Sequence, residues 1–121
     1  MSTRGVNRVT LVGYLGRDPD LKHTRQGTAV CNISIATTDA WVREGKKMEK
    51  TTWHRVVMWE GLAEIAARYL KKGRQVYIEG KLQTREWKDK SGADRFTTEI
   101  YAEQMQMLGG RGEEEIKFKE P

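Results

Sequence analysis

Cysteine occurs once in these 121 residues and histidine twice, and no apolar run approaches the ~20 residues that a bilayer-spanning helix needs. Each scarcity excludes a class of protein. A single thiol cannot form an intramolecular disulfide. Cys31 lies in AVCNISI on the parity that also carries Ile33 and Ile35, which predicts a buried, inert group suited to a reducing compartment. The N-terminus, MSTRGVNRVTLVG, lacks the apolar stretch and small-residue cleavage site of a signal peptide, so the expected location is the cytoplasm. There is no CxxC pair, no HExxH, no GxxxxGK[ST] and no nucleophile elbow. Asp18, Asp20 and Asp39 stand among competing cations, a poor setting for Mg²⁺. The expectation is a non-enzymatic protein with no cofactor and no metal.

What the chain has in quantity is charge. Lys and Arg number 22 against 17 Asp and Glu, a net +5 with a pI near 9.4, a balance that draws a protein toward polyanions. Its length suits one domain with one core. Residues 6–15 (VNRVTLVGYL) and 29–38 (AVCNISIATT) read as strands separated by the turn-rich GRDPDLKHTRQGT. The polar stretch DAWVREGKKMEK, residues 39–50, reads as a loop into a third strand over 51–59. In residues 61–72 the period changes: Leu62, Ile65, Ala66, Tyr69 and Leu70 mark an amphipathic helix with Lys71, Lys72 and Gly73 at its end. Residues 74–85 and 95–107 read as two long strands joined by EWKDKSGAD, a projecting hairpin with Ser91 and Gly92 at its tip.

Three strands, a helix and two strands is the order of the OB-fold. The expected class is therefore all-β: a five-stranded Greek-key barrel with one short α-helix between strands 3 and 4. The barrel should occupy residues 1–108 with a charge of +6, followed by a flexible tail, 109–121, with a charge of −1.

The third strand, TTWHRVVMW, carries the functional signal. Successive strand residues face opposite ways, so Trp53, Arg55, Val57 and Trp59 share one face and His54, Val56 and Met58 the other. All four tryptophans have cations close by: Trp41 precedes Arg43, Trp53 and Trp59 flank Arg55, and Trp87 lies between Arg85 and Lys88. Indole faces stack on unpaired bases while adjacent cations hold phosphates, which is how sequence-tolerant single-strand binding works. For Trp53 and Trp59 the pattern fits a core role equally well. Trp41 and Trp87 lie in or beside hydrophilic loops, where a core role is hard to build. Candidate phosphate contacts are Arg4, Arg8, Arg43, Arg55, Lys72, Arg74, Arg85, Lys88 and Arg95. His54 reads as a hydrogen-bonded interior or interface histidine.

From Arg4 to Gly110 the segments RGVNRVTLVGYLGRDPDLKHTRQGTAVCNISIATT, TTWHRVVMWEGLAEIAARYLKKGRQVYIEGKLQTREWKDKSG and DRFTTEIYAEQMQMLGG resemble the bacterial and organellar single-stranded-DNA-binding family. The resemblance implies a homotetramer that wraps single-stranded DNA without sequence preference in replication, recombination and repair, associated with the nucleoid. It implies base stacking by Trp41, Trp53, Trp59 and Trp87, and a subunit interface at His54, near which the apolar edge at Val6 and Val9 should lie. Two features depart from it. Trp59-Glu60-Gly61 stands where the family commonly has an aromatic followed by Gly-Lys, replacing a cation by an anion. The family's acidic Asp-Ile-Pro-Phe tip, which recruits replication and repair proteins, is absent from EEEIKFKEP. Glu113, Glu114, Glu115, Ile116 and Phe118 imitate it only in part, which makes such partners doubtful. The rival reading is an OB-fold adaptor whose tryptophans meet protein.

Overall fold

The computed structural model describes residues 4–109. Its elements are β1 (Val9–Leu15), β2 (Asp20–His23), β3 (Ala29–Arg43), β4 (Lys46–Trp59), α1 (Glu60–Tyr69), β5 (Gln75–Lys88) and β6 (Asp94–Met107). One sheet runs β1-β5-β6-β4-β3-β2, and pairing of β1 with β3 at Tyr14 and Leu15 closes five of its strands into a barrel. The helix plugs the barrel between β4 and β5, as the OB-fold reading expects. The tail with its three consecutive glutamates lies outside the described residues, apart from Gly109.

Alternation builds the core. Ala29, Cys31, Ile33 and Ile35 of β3 face Val56 and Met58 of β4, with Leu15, Val76, Ile78 and Ile100 contributed by the other strands. Cys31 is fully buried, and that burial, helped by the charge of Asp20, raises its thiol pKa to about 11, so it stays protonated and inert at neutral pH. Where strands cross most closely the chain uses glycine: a Cβ on Gly80 would overlap the Tyr101 carbonyl, and the β5–β6 register shifts by a bulge at this point.

Several boundaries differ from the sequence reading. Residues 39–50 are not a loop: β3 and β4 continue as one hairpin to Arg43 and Lys46, turning through Glu44 and Gly45, both at positive φ (51° and 79°). Two consecutive left-handed residues match the twist of antiparallel strands. The stretch 16–28 contains β2, a four-residue edge strand on β3 with every residue exposed. Regular strand begins at Val9. Ahead of it, Asn7 uses its side-chain amide as a substitute peptide, with Nδ2 donating to the Leu82 carbonyl and Oδ1 accepting from the Leu82 N–H, both at 2.9 Å. In α1 the packed stripe is Leu62, Ala63, Ala66, Ala67 and Leu70, whereas Ile65 and Tyr69 are exposed. Small Ala63 and Ala66 bring the helix close to the barrel end, and the bulkier pair is turned outward.

Candidate nucleic-acid interface

Register decides which side chains share a surface. Val56 pairs with Ile100 inside the barrel, so the next pair, Val57 and Tyr101, lies on the outside. That outer face collects Trp53, Arg55 and Trp59 from β4, Lys81, Arg85 and Trp87 from β5, and Arg95, Thr97, Glu99 and Tyr101 from β6. Trp53 is 59% exposed, Trp59 40% and Trp87 42%, which removes the core role that the sequence left open for Trp53 and Trp59. Val57 differs from its neighbours on this face: it is buried between Asn32 and Tyr101.

Each indole is held differently. Trp59, in extended conformation at the N-terminus of α1, meets Tyr101 edge-on with ring centroids 6.1 Å apart. Trp87 donates from Nε1 to Thr97 Oγ1 at 2.9 Å, one diagonal step across the hairpin. Trp53 borders an opening of about 280 Å³ with Gly16, Arg17 and Ser34. Trp41 is not brought to this face. It pairs with Met48, and by strand alternation both have the parity of His54, opposite to Trp53, on a ribbon exposed on both sides.

The cations fall into three groups. Arg55, Arg17 and Arg85 line a groove of about 400 Å³ on the outer face with Asp20, Asn32, Ser34 and Glu99. Arg85 is the paired member: its Nε donates to Glu99 Oε1 at 3.2 Å, and the Glu99 side chain is 8% exposed, so removing Arg85 strands a buried carboxylate. Among the described residues, Arg55 and Arg17 have no carboxylate within ion-pair distance; Arg17 reaches only Ser34 Oγ, at 3.4 Å. The second group ends the β5–β6 hairpin, where Lys88 pairs with Asp94 at 2.7 Å and Arg95 with Asp89 at 2.8 Å. Such exposed pairs are weak and exchange readily for phosphate. The third group is dispersed. Arg43 ends β3; Lys72 and Arg74 follow α1, tied to the end of β1 by Gly73 N–H to the Leu15 carbonyl and Leu15 N–H to the Arg74 carbonyl. Arg8 is ion-paired to Glu79 where β1 meets β5, and Arg4 precedes it at the exposed N-terminal end.

Asp89 organises the hairpin tip. Its carboxylate accepts from Ser91 Oγ, Arg95 Nε and the N–H groups of Ala93 and Ser91, which together hold its pKa down at about 2. His54, half-buried, shares a 2.9 Å hydrogen bond with Thr37 Oγ1 and lies with Leu82, Thr98 and Ile100 beside Trp53. Val6 is 92% exposed. Among the described residues, no group of three or more His, Cys, Asp and Glu is arranged to hold a metal ion, and no helix is long and apolar enough to cross a membrane.

Arg17 and Tyr101 were missed by the sequence reading. Arg17 sits in GRDPD, which reads as a turn, and reaches the groove only because Gly16 N–H donates to the Ser34 carbonyl across the closed barrel. Tyr101 alternates correctly with Ile100, but nothing local tells which of the two faces inward.

The profile of the single-strand binding protein family matches residues 6–108. Among solved structures the chain is similar to the Plasmodium falciparum SSB in complex with single-stranded DNA, with a TM-score of 0.80 and 32% identity over 89% of this chain and 99% of that one. A closed OB barrel, an outer face of exposed indoles interleaved with arginines, and a family match over nearly the whole described chain agree, and the chain belongs to the single-strand binding protein family.

Proposed function

We infer that this protein binds and protects single-stranded DNA without sequence preference, as a non-enzymatic component of replication, recombination and repair. The observation that carries this reading is the outer face itself: Trp53, Trp59 and Trp87 exposed on one surface, with Arg17, Arg55 and Arg85 between them. An exposed indole offers its face to any unpaired base, and a duplex has no unpaired base to offer. Lys88 and Arg95 add cations at the β5–β6 tip, Arg43, Lys72 and Arg74 are further, dispersed phosphate contacts, and Trp41 lies on the other side of the β3–β4 ribbon.

Titration of intrinsic fluorescence with oligo-dT tests this. Strong quenching is expected, with a logarithmic salt dependence of roughly −0.7 per phosphate neutralised and much weaker binding to duplex of equal length. Absence of quenching would favour the adaptor reading, in which the same aromatics meet protein.

The working unit is a homotetramer in this reading, supported by family membership and by the exposed apolar residues Val6, Val12 and Tyr14 at the β1 side of the barrel. His54 and Val9 belong near its joints. Light scattering that returned a monomer mass at micromolar protein would contradict it. Residues 1–108 carry the DNA-binding activity and residues 109–121 are dispensable for it; deleting the latter should leave oligo-dT affinity equal or slightly higher. The protein acts at the nucleoid in the cytoplasm.

A further inference from the structure

We propose that Gly16 is the positioning residue of the Trp53 stacking platform: its missing side chain is the seat on which the indole lies. The inference rests on the single-strand-binding reading and adds to it a residue that touches no phosphate and no base.

Six glycines of the described chain have positive φ, a backbone reason to be glycine, and Gly16 is not among them. Gly13 and Gly80 have a packing reason, since a Cβ at either would run into a backbone carbonyl, of Ala36 and Tyr101 respectively. Gly16 is different from both sets. The three nearest heavy atoms to a Cβ built there all belong to the six-membered ring of Trp53: Cζ3, Cη2 and Cε3. Nothing in the backbone demands glycine at this position; the ring does.

The consequence depends on which partner would yield. Trp53 is 59% exposed, and the overlapping atoms are the far end of its side chain, so an added methyl displaces the ring without disturbing the barrel. The backbone beneath is fixed independently, by the 3.0 Å bond from Gly16 N–H to the Ser34 carbonyl. The seated ring forms one wall of the opening that it shares with Arg17 and Ser34. In that position a base can stack on the exposed face while its phosphate reaches Arg17. An unseated indole must be immobilised again at each binding event, an entropic penalty equivalent to about 2- to 10-fold in affinity for one side chain.

The test is a double-mutant cycle with oligo-dT at fixed salt: wild type, Gly16→Ala, Trp53→Ala and the double variant, each with its melting temperature. Gly16→Ala should weaken binding about 2- to 10-fold with an unchanged melting temperature, and should add nothing once Trp53 is alanine. Unchanged affinity in Gly16→Ala, or an equal loss in the Trp53→Ala background, would overturn the proposal. If Gly16→Ala fails to fold, Trp53→Ala must restore folding, because the overlap is with the ring alone; failure of that rescue also overturns it. A wild type that does not bind oligo-dT would defeat the functional reading instead, and the seat would then be read from nuclear Overhauser contacts between the Gly16 Hα atoms and the Trp53 ring, whose absence would refute it.

Discussion

The β5–β6 hairpin holds its tip with side chains, whereas the β3–β4 hairpin turns on its backbone alone. In the first, Asp89 gathers Ser91, Ala93 and Arg95, Lys88 pairs with Asp94, Trp87 is pinned to Thr97, and Thr84 bonds Thr98 at 2.9 Å. In the second, the turn is Glu44-Gly45, and beyond Thr37 the only side-chain hydrogen bond among the described residues is Thr38 to Thr51. Both carry a tryptophan and several cations away from the barrel. The difference is preorganisation: Trp87 and Arg95 are already placed, while Trp41, Arg43, Lys46, Lys47 and Lys50 are left to be placed by whatever binds.

The sharpest test of that contrast is truncation of the aromatics. Trp53→Ala and Trp87→Ala should each lose about 1–3 kcal/mol of oligo-dT binding, roughly 5- to 150-fold, with little change in melting temperature. Trp41→Ala should lose less, because an unpinned ring spends part of its stacking energy on being ordered. Trp59→Ala should show a mixed result, since that ring also packs on Tyr101 where β4 enters α1. Equal losses for Trp41 and Trp87 would mean that preorganisation contributes nothing.

Charge should separate the hairpins in the opposite sense. Arg43, Lys46, Lys47 and Lys50 have no ion-pair partner among the described residues, so replacing all four by glutamine should flatten the salt slope by up to about 3 units. Replacing Lys88 and Arg95 should change it by less per residue. Those two must first leave Asp94 and Asp89, whose freed carboxylates offset part of the charge brought to the phosphates. A steeper change at the β5–β6 tip would reverse this assignment.

How much of this was legible beforehand follows from periodicity. The parity of TTWHRVVMW placed Trp53, Arg55 and Trp59 together, because strands alternate strictly and the core residues Val56 and Met58 fall on the other side. The extension of β3 and β4 was invisible because a ribbon exposed on both faces has no hydrophobic period, so DAWVREGKKMEK looks like any polar loop. DLKH has a single apolar residue and could not announce β2. Position 60 became intelligible only with the backbone: Glu60 sits at φ 55°, where the family commonly places glycine. The left-handed conformation makes a side chain there cost about 1–2 kcal/mol, so the departure from the family pattern is a strained position as well as an added negative charge.

A smaller effect is expected from the pin itself. Thr97→Val removes the acceptor of the Trp87 indole N–H while keeping the shape and β-propensity of the residue, and should weaken oligo-dT binding roughly 2- to 10-fold. Thr97→Ser should restore it. A general loss of hairpin structure would also lower the melting temperature, whereas release of the ring alone would not. No equivalent substitution exists on β3–β4, where Trp41 has no such acceptor among the described residues.

The smallest effect is the most local. Asp89 has its folded pKa lowered to about 2, against 3.8 for an unconstrained carboxyl, mainly by the bonds from Ser91 and Arg95. A depressed carboxylate contributes stability that is complete above the unfolded value and is lost as pH falls through the folded one. The β5–β6 turn should therefore be constant between pH 5 and 8 and loosen only as the pH is lowered from about 4 to 2. Following the Asp89 carboxyl carbon by NMR should give a midpoint near 2, with faster amide exchange at Ser91 and Ala93 over the same interval. Asp89→Asn should keep part of the turn, because its amide oxygen still accepts from the Ser91 and Ala93 N–H groups, but it should free Arg95 and abolish the acid transition. A midpoint near 3.8 in the wild type would show that the carboxylate does not organise the tip, and the contrast between the two hairpins would lose its physical basis.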